Sequence, residues 1–228
     1  MSIRAFLFDM DGLLMDTEAL HIRAYVELTA RLGRPQKAEA LTRFIGHSNP
    51  TTCRWLIDEV GCKGTVEELA AAESQIYHEL LEKERPAPLA GVREMFDLGD
   101  SLKFSRALVS SSADAQVDPT MQIIIDHLGR GGDWRDHFNA IATGDRVTHR
   151  KPAPDLYQLA MRELKLTPDE CIAFEDSHAG VSSALAAGLR VVAIPNFHLN
   201  SDEVVQNRTP LVFETLLHAS QNLDRILL

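Results

Sequence analysis

The sequence predicts an α/β protein: an open parallel sheet flanked by helices, with a block of helices inserted after the first strand. Three observations predict it. Short apolar runs alternate with segments of helical periodicity, the pattern of parallel βα units with right-handed crossovers. The stretch from about Glu18 to Glu84 has no such run and is rich in Ala, Leu and Glu. Three of the runs are followed directly by Asp9, Ser110 and Glu175, and ligands of open parallel sheets bind beyond the carboxyl ends of the strands.

The first strand is Ile3 to Phe8, nearly all apolar, as expected for a strand covered on both faces. Similar runs occupy Ala107–Val109, Ala140–Thr143, Cys171–Phe174 and Val191–Ile194. Between them, Leu156, Leu159, Ala160 and Leu164 share one helical face, and Val181, Ala184 and Leu185 another. Thr167-Pro168 starts a short helical turn before Cys171. In the inserted block, His21–Arg31, Ala38–Phe44, Thr51–Glu59 and Val66–Glu84 read as helices. The block is closed by Arg85-Pro86-Ala87-Pro88, a stiff connector. The expected domains are residues 1–17 with 86–228, and 18–85. Gly129-Arg130-Gly131-Gly132 reads as a surface turn, and the segment Asp126–Asp136 around it has no evident function.

With 228 residues, the chain is long enough for one large domain or a domain with a smaller partner. Its net charge of −10, with scattered basic residues, argues against nucleic acid and against an anionic membrane surface as partners. No apolar run approaches the length of a membrane span. Cys53, Cys62 and Cys171 lack the number and spacing of a disulfide framework or a zinc cluster. A reducing, cytoplasmic compartment is the expectation. The amino terminus shows no signal-peptide pattern, and the acidic surface is compatible with a monomer.

Four segments carry candidate chemistry, and each also has a plainer reading. In Asp9-Met10-Asp11-Gly12, one carboxylate can attack phosphorus and the other can serve as acid and then base; the same residues also make an ordinary turn. Ser110, with the backbone N–H of Ser111, can hold a phosphate oxygen, or the segment is a Ser-rich turn or helix cap, with Ser112 and Asp114 equally plausible as caps. Lys151, ahead of two prolines, can neutralise a transferring phosphoryl group or stand solvated before a helix. Glu175 and Asp176 suit a hard divalent ion such as magnesium, or Asp176 or Ser177 caps the next helix.

Together and in this order, the four segments resemble the haloacid dehalogenase-like superfamily of phosphohydrolases. The resemblance covers nearly the whole chain, including Asp16-Thr17-Glu18 at the start of the insert and Gly144-Asp145 ahead of Lys151. It implies a Rossmann-like core with a helical cap. It assigns Asp9 as nucleophile and Mg2+ ligand, and Asp11 as acid/base and carbonyl ligand. Ser110 and Lys151 become phosphate ligands, and Glu175 with Asp176 completes the metal site. The insert resembles the cap of the subgroup containing β-phosphoglucomutase and phosphoglycolate phosphatase. On that resemblance Thr17, His21, Gly46, His47 and Asn49 join Ser111 and Ser112 in touching substrate; His21 also reads as an ordinary half-buried histidine. The mutase's basic cap residues correspond to Ile45 and Asn49 here, with Arg43 and Arg54 nearby. The expected function is a Mg2+-dependent phosphatase for a small phosphorylated metabolite, a sugar phosphate, acting through an aspartyl phosphate. The alternatives are a phosphosugar mutase and a non-catalytic binding domain. Asp11 argues against dehalogenase or phosphonate-cleaving chemistry.

Overall fold

A computed structural model describes residues 2–44, 49–195 and 208–228. The chain divides into two compact units, Met1–Met15 with Ala87–Leu228, and Asp16–Pro86.

The larger unit is built on five parallel strands: β1 (Ala5–Phe8), β2 (Ser105–Val109), β3 (Ala140–Ala142), β4 (Cys171–Glu175) and β5 (Arg190–Ala193). Their order is β3-β2-β1-β4-β5, which puts β1 in the centre. The predicted α/β class holds, with strand ends displaced by one or two residues. Alternation along β1 divides the core. Ala5 and Leu7 point into a cluster with Leu156, Tyr157, Val181 and Val191. Phe6 and Phe8 point the other way. There Phe6 meets Phe174 and Phe104 edge-on, at 5.2 and 5.1 Å between ring centroids. Phe8 stacks on Phe174 at 5.0 Å. Edge-on and offset contacts suit the aromatic quadrupole, so these rings add packing energy beyond their buried area.

Register sets the height of the strand ends. Phe8 lies opposite both Leu108 and Phe174. The next residues along, Asp9, Val109 and Glu175, are therefore level, with Ser110 and Asp176 one step beyond. The strand order reverses around β1, since β2 and β3 lie on one side and β4 and β5 on the other. That reversal opens a crevice at the carboxyl ends.

Two helices of this unit are not apparent in the sequence reading: α5 (Val92–Leu102) and α6 (Asp114–Leu128). In α6, Ile123, Ile124 and Ile125 are all buried. A helix covered on most sides loses the 3.6-residue stripe by which helices are recognised. The remaining helices of this unit are α7 (Asp155–Leu164), α8 (His178–Ala186) and two short ones at the end, Leu216–Ser220 and Leu223–Leu227.

The segment 126–136 has a structural purpose. Arg130 is not a mere turn residue: it pairs with Asp97 and Asp100 of α5, each at 2.6 Å. Arg93 donates to the carbonyls of Leu128 and His127. Beneath this lattice Arg106 is only 5% exposed. It donates to Phe96 O, His137 O and Asp100 Oδ1 at 2.8–2.9 Å, with its guanidinium 4.0 Å above the Phe96 ring.

The smaller unit is helical: α1 (Glu18–Arg31), α2 (Ala38–Leu41), α3 (Asn49–Asp58) and α4 (Val66–Glu84). A 3-10 turn, Thr42–Phe44, finishes the segment expected to be one helix. Thr65 and Glu68 form a capping box that starts α4. Arg23 of α1 forks onto Glu84 of α4 at 2.5 and 2.6 Å.

Replacing Arg106 with alanine strips buried carbonyls of Phe96 and His137 of their donor. Each orphaned group costs about 1–3 kcal/mol, so Arg106→Ala should lose roughly 3–5 kcal/mol in urea unfolding. A loss below about 1 kcal/mol would show that water replaces the guanidinium.

Candidate active site

The strand ends bring four carboxylates and one ammonium together. Asp9 directly follows β1, and its N–H donates to Phe174 O of β4 at 3.1 Å. Lys151 reaches it from the loop before α7. Its Nζ lies 2.6 Å from Asp9 Oδ1, 2.6 Å from Glu175 Oε1 and 2.8 Å from Val109 O. Its side chain is 5% exposed, so the solvated-lysine alternative fails. Asp11 Oδ2 accepts from the hydroxyls of Ser110 at 3.2 Å and Ser112 at 2.8 Å. The Ser112 N–H donates to Ser110 Oγ, which fixes that turn.

At the end of β4, Ser177 is the helix cap, its Oγ accepting from Gly180 N at 3.1 Å. Asp176 is therefore not needed for capping. Asp9, Glu175 and Asp176 are all buried and offer oxygens within 4.8 Å of one another. Glu175 Oε1 accepts from Tyr157 OH, while Glu175 Oε2 is buried without a hydrogen-bond partner. Burial first, then the Glu175 carboxylate, pushes Asp9 up to about 8 against the pull of Lys151. Burial works against the charge of Lys151 too, yet Asp9 and Glu175 outweigh it and hold the ammonium firmly charged. One ammonium does not balance three buried carboxylates. An all-oxygen donor set with excess negative charge and an orphaned buried oxygen fits a hard divalent cation such as Mg2+.

Glycines make the close packing possible. Gly12 has φ of +79°, and a Cβ there would fall 2.1 Å from Asp176 Oδ2. A Cβ on Gly180 would fall 1.8 Å from Glu175 Oε2. Gly144 gives the same clearance to the Ser111 carbonyl, at 2.2 Å. The Asp145 carboxylate caps Asp114 N–H at 3.0 Å and ties this loop to the start of α6.

The structure thus gathers Asp9, Asp11, Ser110, Ser112, Lys151, Glu175 and Asp176, with Ser111 in the intervening turn. Thr17, His21 and Asn49 belong to the helical unit. Thr17 is fully buried before α1, and its carbonyl accepts from His21 N. His21 and Asn49 meet at Glu73. Gly46 and His47 lie outside the described residues. Sequence reasoning missed Tyr157 and Glu73. Tyr157 is adjacent to Leu156, on a helix read only for its apolar stripe. Glu73 sits among the many glutamates of α4, with nothing in sequence to separate it from a solvated one.

A family model of haloacid dehalogenase-like hydrolases matches residues 6–194. Protein CbbY of Rhodobacter capsulatus is 32% identical over 209 residues, covering 89% of this chain and 90% of that protein. A phosphorylated carbohydrates phosphatase of Thermotoga maritima is 30% identical over 191 residues, covering 82% of each. A crystal structure of CbbY from Rhodobacter sphaeroides with xylulose-(1,5)bisphosphate superimposes with a TM-score of 0.80 at 26% identity, covering 94% of this chain and 95% of the other. The chain belongs to the haloacid dehalogenase-like hydrolases, within the phosphatase and phosphoglucomutase-like group of these enzymes.

Proposed function

We propose that this chain is a Mg2+-dependent phosphatase acting on a small phosphorylated metabolite, a sugar phosphate, through an aspartyl phosphate on Asp9. One observation carries the reading: a buried ammonium, Lys151 Nζ, bridges Asp9 and Glu175 beside a cluster of three carboxylates. A structural core has no use for so much charge without a ligand, because burying it is costly. The relatives support the substrate class. One is a phosphorylated carbohydrates phosphatase, and a fructose-1-phosphate phosphatase of Escherichia coli is 28% identical over 189 residues. Both are phosphatases, which sets hydrolysis ahead of isomerisation.

Asp9, Glu175 and Asp176 would hold the cation, with the backbone carbonyl of Asp11. When bound, Mg2+ supplies charge neutralisation for the phosphoryl oxygens. Lys151 and Ser110, with the Ser111 N–H, hold the phosphate. The Asp9 carboxylate attacks phosphorus in line, and the bond from phosphorus to the sugar oxygen breaks. Asp11 gives its proton to that departing oxygen. A water then loses a proton to Asp11 and attacks phosphorus, which releases inorganic phosphate and restores Asp9. Ser112 and Ser110 orient Asp11 for both proton transfers. Catalysis of this kind is mainly positioning and charge neutralisation. Three unpaired, buried cysteines support a reducing cytoplasmic setting, and the enzyme acts as a monomer. Among the described residues, no helix is long and apolar enough to cross a membrane.

Hydrolysis of p-nitrophenyl phosphate by the wild type should require Mg2+. Asp9→Asn should abolish it, and Lys151→Ala should slow it by about a hundredfold or more. Equal rates in wild type and Asp9→Asn would refute the nucleophile.

Metal binding is open to a test without turnover. Mg2+ at about a hundredfold excess over Kd should raise the melting temperature by roughly 5–10 °C. Asp176→Asn should lose most of that shift.

Gly180→Ala drives a methyl group into the Glu175 carboxylate. It should cut kcat by about a hundredfold, the penalty of an ångström's misplacement. A variant with normal turnover and a normal Mg2+ shift would mean that Glu175 plays no part in the site.

A further inference from the structure

At the outer edge of the sheet, the larger unit carries a groove of about 340 Å3, lined by none of the residues of the candidate active site. Its walls come from Leu185 near the end of α8, Arg190 and Val191 at the start of β5, Arg208 and Leu211 beyond that strand, and Arg225 of the short helix Leu223–Leu227. Ala193 of β5 lies opposite Glu175, and Arg190 comes three residues earlier. At about 3.3 Å per residue, the groove begins roughly 10 Å down the strand from the carboxylates.

Three guanidinium groups line this groove, and none pairs with a carboxylate among the described residues. Arg190 Nη1 donates to Ile226 O at 2.7 Å, and Arg208 Nη1 to Ser182 Oγ at 2.9 Å. The Arg225 guanidinium lies over the Phe213 ring, 5.2 Å from its centre. These contacts hold the side chains in place and leave their charge uncompensated. Elsewhere in the same unit, Arg106 and Arg130 share Asp100. In a chain of net charge −10, three cations around one hollow without an acidic partner form a local positive field. A backbone donor adds to it. Ala193 N–H donates outward to Leu211 O, while Ile194 N–H donates inward to Glu175 O. Val191, two residues before Ala193, therefore faces outward too, and its carbonyl accepts from Thr209 Oγ1 at 2.7 Å. Its N–H donates to no group among the described residues, although Val191 is only 2% exposed. Buried N–H groups are seldom left so.

We propose that this groove is a second anion site, holding the phosphate group of a small organic phosphate with Arg190, Arg208 and Arg225 and covering its carbon body with Leu185 and Leu211. A guanidinium fork matches phosphate oxygens in shape as well as in charge. Three positive charges suit a dianion better than a single carboxylate. The volume lies at the low end of small-molecule sites, so the organic part is small. The site goes beyond the phosphatase reading and shares no residue with it.

The probe is phenylphosphonate, which has no ester oxygen to cleave, with inorganic phosphate beside it. Melting temperatures are read in EDTA at constant ionic strength, so that neither Mg2+ nor salt contributes. Lys151→Ala serves as a second background, in which the candidate active site has lost its ammonium. Phenylphosphonate at about a hundredfold excess over Kd should raise the melting temperature of wild type and Lys151→Ala alike, by roughly 5–10 °C. The double variant Arg190→Gln with Arg225→Gln should lose most of that rise, while its Mg2+-dependent hydrolysis of p-nitrophenyl phosphate stays at the wild-type rate. Should the double variant not fold, Arg225→Gln alone, at an exposed position, carries the same comparison. A rise that vanishes in Lys151→Ala puts the ligand in the active site and overturns the proposal, as does a rise undiminished in the arginine variants or absent from the wild type. An equal rise with inorganic phosphate overturns the assignment of an organic body.

Discussion

The buried ammonium of Lys151 is the interaction on which the site depends. It sits within hydrogen-bond distance of two carboxylates from different strands and of the carbonyl that ends a third. Desolvating a lysine is costly, and so is desolvating Asp9 and Glu175. The three are tolerable only as a set, and even as a set they remain too negative. Burial first, and then the Glu175 carboxylate, raise Asp9 to about 8 against the pull of Lys151. A buried set with surplus negative charge gains by taking up positive charge. The same feature that burdens the fold therefore prepares it for a cation and a phosphate.

Register and glycine convert this electrostatic requirement into geometry. Parallel pairing of β1 with β2 and β4 puts Asp9, Val109 and Glu175 at one level without any loop having to fold back. The side chains then approach so closely that neighbouring backbone must lack Cβ atoms. Gly12 and Gly180 meet that need against Asp176 and Glu175, and Gly12 also supplies the positive φ that turns the chain away from Asp11. Neither glycine reacts with anything. Each is as much a part of the site as the carboxylate it accommodates.

Much of this was legible in the sequence, for identifiable reasons. Strands in a parallel sheet are buried on both faces, so Ile3–Phe8 and Cys171–Phe174 stand out as unbroken apolar runs. Polar residues directly after such runs are unusual enough to mark the crevice. Lys151 was harder to read, because a lysine before two prolines looks solvated; only its burial separates the two readings. Helix α6 was hidden by its own burial, since three consecutive isoleucines carry no helical stripe. The 126–136 segment gave no signal, because its purpose is ion pairing to α5, a long-range relation that local pattern does not encode. Tyr157 was missed for the same reason: its hydroxyl matters only because Glu175, eighteen residues away, lies beside it.

Glu73 shows the limit of pattern reading most clearly. Along α4 it is one of several glutamates, and composition places it on a solvated face. Its burial follows from what α1 and α3 bring to it, an imidazole and a carboxamide, neither of which predicts the other from sequence. Once the three are together, chemistry removes the freedom each would have alone. A carboxylate that only accepts dictates the histidine tautomer and the direction of the amide.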